Sequence, residues 1–143
     1  MERNRTSLVL RLSFDTGRVI IAGDADSVAE DFQLRSGQSL HAQVLAAGHH
    51  GSRHSSSLAW LRRVAPREVV LSYGIPNRYK HPNPEVLARL DSVGARAWRT
   101  PQGSVEFVLA GGVPRVEPWK SDVFRGPWRR MVSLTPAWTW NRP

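Results

Sequence analysis

Short apolar runs set between capped helical segments constrain this chain more than any other feature. Val19 to Ala22, Val44 to Ala47 and Val69 to Leu71 are each too brief for a buried helix, and each runs into glycine or polar residues. Such runs read as the buried strands of a sheet, and their alternation with helical patterns points to sheets layered with helices rather than to a bundle or a pure β-sandwich. None approaches the roughly 20 apolar residues that span a bilayer. A length of 143 residues suits one domain, given about 100–200 residues per domain. The start Met1-Glu2-Arg3-Asn4 has no apolar core behind it, so the chain is expected to be soluble and without a signal peptide.

The elements follow from local signals. Ser7 to Phe14 alternates with period two, Asp15-Thr16-Gly17 has turn chemistry, and Arg18 to Ala22 returns, which predicts a hairpin. Ser27 and Glu30 have capping-box spacing ahead of a helix to about Arg35 that stops near Gly37. His41 to Ala47 is the next strand, and Gly48 to Ser57 a polar loop. Ser55 or Ser56 is the expected cap of a helix carrying Leu58, Leu61, Val64 and Ala65 and ended by Pro66. Glu68 to Tyr73 is a strand. A loop from Gly74 to Asn83 leads to a helix with Asn83 as cap, Pro84 at its first position and Gly94 past its end. Ala95 to Arg99 and Ser104 to Leu109 close the order β-β-α-β-α-β-α-β-β. From Gly111 the pattern dissolves into a tail with four of the six Trp, six basic residues and five prolines. This divides the chain into 1–110 and a Pro/Trp/Arg-rich tail, 111–143.

Twenty basic against twelve acidic residues give a net charge of +8, a balance that favours a polyanionic partner. Eighteen of the twenty are Arg, suited to phosphate, although they scatter along the chain as solvated surface charge also does. With no cysteine, a metal would have to sit on His, Asp or Glu.

Open α/β sheets present ligands at the carboxyl ends of their strands, and polar groups crowd three such places. Asp24 follows the second strand, behind Gly23. His49-His50 follow the third, between Gly48 and Gly51. Asn77, Arg78 and His81 lie beyond the fourth. Alone, Asp24 reads as a carboxylate at a helix start and His81 as a turn residue. Adjacent histidines between glycines serve no structural need, and metal or general-base work is the competing reading. His41 and His54 are read as structural or solvated.

In order along the chain stand N-x-x-S-L-V-L (Asn4 to Leu10), G-D (Gly23-Asp24), A-G-H-H-G-S (Ala47 to Ser52), N-R-Y-x-H-P (Asn77 to Pro82) and T-P-x-G-S (Thr100 to Ser104). Together they resemble the metallo-β-lactamase-fold domain of the ComEC family of competence DNA-uptake proteins. The resemblance implies a metallo-β-lactamase-like αββα sandwich of which this chain is the second half only. It further implies a metal-dependent nuclease of DNA, a single strand as partner, two divalent ions (Zn or Mn) in the intact domain, and no small-molecule cofactor. It makes Asp24 the bridging metal ligand and His50 the ligating imidazole, with the reverse assignment of His49 and His50 left open. His49 and His81 take catalytic positions, and Ser52 and Asn77 contact phosphate.

The family's other metal motif, H-x-D-x-D-H, is absent. The expectation is therefore the C-terminal portion of the domain, either truncated, started at an internal Met, or detached from an upstream half-domain and membrane-channel region, and inactive by itself. Its parent would lie in the inner membrane with this domain on the extracytoplasmic side. Competing readings are a hydrolase of another phosphoester and a non-catalytic DNA-binding remnant.

Overall fold

The computed structural model describes residues 2–102, 104–110 and 113–119. β1 (Leu10–Phe14) and β2 (Gly17–Ile21) form the expected hairpin, with Phe14 opposite Gly17 across the two-residue turn Asp15-Thr16. Ser7 to Val9 stay outside the ladder, and the Ser7 hydroxyl accepts the backbone N–H of Asp24 at 2.8 Å. α1 (Ser27–Arg35) begins one residue earlier in its capping than the spacing predicts. Asp26 is the N-cap, its Oδ1 accepting the N–H groups of Val28 and Ala29 at 3.1 Å each. The Ser27/Glu30 capping box does not form. Asp26 already serves the first-turn donors, and Glu30 is buried, accepting instead the N–H groups of Ser56 and Ser57.

β3 (Val44–Ala46) leads through a 3-10 turn at Gly48–Gly51 to α2 (Leu58–Val64). Neither Ser55 nor Ser56 caps that helix. Ser57 holds the N-cap position without a side-chain bond, and the Ser55 hydroxyl donates to the Gly48 carbonyl at 2.7 Å. β4 (Glu68–Leu71) precedes α3 (Pro84–Ser92), which starts as expected: the Asn83 side chain accepts the Glu85 N–H at 2.9 Å and Pro84 opens the helix. Gly94, at φ +70°, follows its end in the left-handed conformation.

β5 (Arg96–Arg99) and β6 (Ser104–Ala110) come next. A further strand, β7 (Val113–Trp119), corrects the expectation that regular pattern ends at Gly111. It pairs antiparallel with β6, Leu109 opposite Pro114 and Val105 opposite Pro118. Those two prolines hide the strand from sequence reading, and they are tolerated because β7 pairs with β6 in a two-stranded sheet and needs donors on one side only. Gly103 and the rest of the tail, 120–143, lie outside the described residues.

The main sheet has the order β1-β2-β3-β4-β5, with β1 antiparallel to β2 and β2 to β5 parallel. The fold is α/β, a mixed sheet with three helices among the described residues. On one face Ile20, Leu45, Val69 and Leu71 pack with Trp60, Leu61 and Val64 of α2 and Val86 and Leu90 of α3 to make the core. The alternate residues face the other way. There Leu10, Leu12, Phe14 and Ile21 remain 40–56% exposed, with Leu10 opposite Ile21 and Leu12 opposite Val19. The β6–β7 hairpin meets this sheet at the β1–β2 turn, where the Thr16 hydroxyl donates to the Leu109 carbonyl at 2.8 Å. No helix among the described residues is long and apolar enough to cross a membrane.

Candidate active site

Because β2, β3 and β4 are parallel, their carboxyl ends share one edge, and the loops leaving them carry the polar clusters. Glycines let those loops close on one another. A Cβ on Gly48 would stand 2.8 Å from the Ala25 carbonyl oxygen, and one on Gly51 would stand 2.8 Å from Pro82 Cβ and 2.9 Å from Leu71 Cδ2. The Asn83 N–H donates to the Gly51 carbonyl at 2.8 Å, and the His49 N–H to that of Gly23 at 2.9 Å. His49 and His50 both adopt left-handed backbone, at φ 46° and 56°, which costs a residue with a Cβ roughly 1–2 kcal/mol.

This packing gathers Asp24, His49, His50 and His81. The ring centroids lie 6.3 Å apart for His49 and His50, 5.8 Å for His49 and His81, and 6.4 Å for His50 and His81. His50 Nδ1 donates to the Ser72 carbonyl at 2.7 Å, and its Nε2 stands 3.9 Å from Asp24 Oδ1. A carbonyl only accepts, so the proton of a neutral His50 sits on Nδ1 and leaves the Nε2 lone pair on the Asp24 side. That anchoring of the far nitrogen is how metal-bound histidines are held. His49 is anchored in the opposite sense. The Asn4 amide nitrogen meets its Nδ1 at 3.0 Å, so Nδ1 accepts and the neutral ring carries its proton on Nε2.

The Asp24/His50 pair fits one edge of a coordination shell. Zinc bonds of about 2.0–2.2 Å to imidazole and carboxylate let two ligands stand up to roughly 4 Å apart. It does not close the shell, since among the described residues no three His, Cys, Asp or Glu side chains converge on one point.

His81 is half-buried, and its Nδ1 is enclosed without a hydrogen-bond partner. Burial first, then the neighbouring His49 and His50, pull its pKa below the ordinary imidazole value. Ser52 is buried beneath the site, its hydroxyl accepting the His54 N–H at 3.4 Å. Asn77 organises its own loop: the amide nitrogen donates to the His81 carbonyl at 2.6 Å and the amide oxygen accepts the Tyr79 N–H at 3.2 Å.

Beside the pair opens a cleft of about 760 Å³, lined by His50, Ser72, Tyr73, Asn77, Arg78, Tyr79 and His81 among others. Sequence reasoning missed Asn4, Ser7, Ser72 and Tyr79 as parts of this site. Asn4, Ser7 and Tyr79 stand within the motifs N-x-x-S-L-V-L and N-R-Y-x-H-P but without a role of their own there, and Ser72 stands in neither; the bracing contacts of Asn4, Ser7 and Ser72 reach across 45, 17 and 22 residues.

An α/β unit with a carboxylate and imidazoles gathered at the ends of parallel strands is thus the class of protein that the fold and site define. No family model matches the chain. It is 34% identical over 132 residues to Competence protein ComA of Neisseria gonorrhoeae, which is 91% of this chain and 19% of that protein. It is 32% identical over 106 residues to ComE operon protein 3 of Bacillus subtilis, 73% of this chain and 14% of that protein. It is 33% identical over 87 residues to Recombination protein 2 of Haemophilus influenzae, 61% and 11% respectively. These homologues indicate a competence-related family. The chain spans about a fifth or less of the length of these curated relatives.

Proposed function

We propose that this chain is part of a metal-dependent phosphodiesterase domain, of metallo-β-lactamase-like fold, that hydrolyses DNA during DNA uptake for natural transformation. The observation that carries the reading is the opposite anchoring of two neighbouring histidines beside Asp24. It makes His50 the imidazole with a lone pair free for a metal and His49 the one with an N–H free for a phosphate oxygen. The similarity to two proteins named for competence supports the biological setting.

On this reading Asp24 and His50 hold a divalent ion, Zn or Mn, and an upstream half-domain bearing H-x-D-x-D-H supplies the remaining ligands of a two-metal centre. Such ions supply Lewis-acid polarisation of the phosphodiester and a hydroxide nucleophile near neutral pH. His49 Nε2 donates its hydrogen to a phosphate oxygen as negative charge develops there. On this reading His81, whose pKa is lowered by burial and then by His49 and His50, receives or returns a proton. Asn77 fixes the loop that presents His81, and Ser52 supports the histidine turn from below. The exposed apolar sheet face is where the upstream half-domain packs, and the membrane-channel region of an inner-membrane parent lies beyond it.

With a segment bearing H-x-D-x-D-H joined upstream, zinc or manganese binding followed by isothermal titration is expected, and is expected to weaken in Asp24→Asn and His50→Ala. In the same joined protein, manganese-dependent cleavage of DNA is expected. Cleavage that survives Asp24→Ala overturns the assignment.

A further inference from the structure

The cleft beside Asp24 and His50 carries, next to His81, an aromatic and a cationic side chain, Tyr79 and Arg78, to which no metal or proton role is assigned. Tyr79 stacks on His81 with ring centroids 5.8 Å apart and planes 16° from parallel. The Arg78 guanidinium lies 4.6 Å from the Tyr79 ring centroid and donates to its hydroxyl. Arg78 is exposed, and Tyr79 keeps 64% of its surface in solvent. Tyr79 thus presents to the cleft ring surface that the fold itself does not cover.

We propose that His81, Tyr79 and Arg78 form a rail that seats one unpaired nucleotide of a DNA strand next to the Asp24/His50 pair, its base against Tyr79 and its phosphate on Arg78. The choice of DNA rests on the function proposed above. The cleft volume, about 760 Å³, is within the roughly 300–1,000 Å³ of sites that enclose small ligands. The occupant is single-stranded because a base inside a duplex has both faces covered by its neighbours, whereas an unpaired base has a face to give to tyrosine. Arg78 is suited to the adjoining phosphate, since its planar fork matches phosphate oxygens and, being exposed, it can turn off the Tyr79 ring toward them and leave that face to the base. The rail thus sets strand state, and the pair beside it would act on whichever phosphate the seated nucleotide presents.

The test is equilibrium binding of labelled short oligodeoxythymidylate, and of an abasic strand of the same length, to the full chain by fluorescence anisotropy. A chelator is present throughout, so that neither metal nor cleavage contributes. The expected result is tighter binding of the base-bearing strand. Tyr79→Ala is expected to weaken that strand by roughly 5- to 150-fold, the range for one lost base stack, while binding the abasic strand as before. Tyr79→Phe is expected to bind both as the unaltered chain does. Arg78→Gln is expected to weaken both strands and to lower the slope of log affinity against log salt by about 0.7, one phosphate contact on a single strand. Equal affinity of the unaltered chain for the two strands, or equal weakening of both by Tyr79→Ala, overturns the rail. Either result leaves the metal titration of Asp24 and His50 standing, and a failed metal titration leaves the rail standing.

Discussion

The tandem left-handed backbone at His49 and His50 is the point where local strain and site geometry meet. Residues with a Cβ avoid this conformation and glycine does not, so the two histidines are held there by what surrounds them: the Gly23 and Ser72 carbonyls, Asn4, and the close packing at Gly48 and Gly51. A pair of substitutions isolates the strain. His50→Ala and His50→Gly both remove the imidazole and its bond to Ser72, but only alanine keeps a Cβ at φ 56°. His50→Gly is therefore expected to be more stable than His50→Ala by about 1 kcal/mol, read from urea denaturation midpoints. Equal stability would show that the turn is not strained. The residues with the chemistry were legible because Asp24, His49, His50 and His81 stand at strand ends in recognisable motifs. The braces Ser7 and Ser72 were not, because a serine hydroxyl and a backbone carbonyl carry no signal until the fold brings them to an aspartate and a histidine far away in sequence.

Among elements, the joint between α1 and α2 depends on one buried carboxylate. Glu30 accepts the N–H groups of Ser56 and Ser57 where α2 begins. Burial pushes its pKa up from the ordinary carboxylate value, more than the Ser57 and Ser56 donors and the Arg89 charge pull it down. With the folded value raised, the folded state binds the proton more tightly than the unfolded one. The contribution is fully present below the unfolded value of about 4.3 and is lost as pH rises through the higher folded value. Against Glu30→Gln, which cannot titrate, the unaltered chain is therefore expected to lose relative stability as pH rises above about 4, followed by urea unfolding at increasing pH. A difference that grows in favour of the unaltered chain would mean that the N–H donors outweigh burial. The same joint marks a limit of sequence reading: Ser27 and Glu30 have the spacing of a capping box, and only the packing of α1 against α2 assigns Glu30 elsewhere. α3 was legible in full, since Asn83, Pro84 and Gly94 act through their own backbone. β7 was not, since Pro114 and Pro118 break its alternation and only pairing with β6 makes it a strand.

Across the molecule, the helices cover one face of the sheet and leave Leu10, Leu12, Phe14 and Ile21 open on the other. Contiguous exposed apolar surface of this kind marks an interface. The full chain is expected to self-associate as its concentration rises, and Leu12→Glu with Phe14→Lys to shift sedimentation velocity profiles toward the monomer without changing the helical circular dichroism. A monomer at all concentrations would mean that something else shields this face. Alternation of short apolar runs made the layered α/β order readable, but that Leu10, Leu12, Phe14 and Ile21 stay open among the described residues appears only once register assigns each strand residue to a face. The close approach at Gly51 has a wider consequence. The histidine turn and the Pro82 bend share a joint with no room for even a methyl group, so a bulkier residue there would pry both apart at once. Variation at that joint should yield intact sites or ruined ones, with few gradations between, and a lineage drifting away from activity has an abrupt exit at this single position.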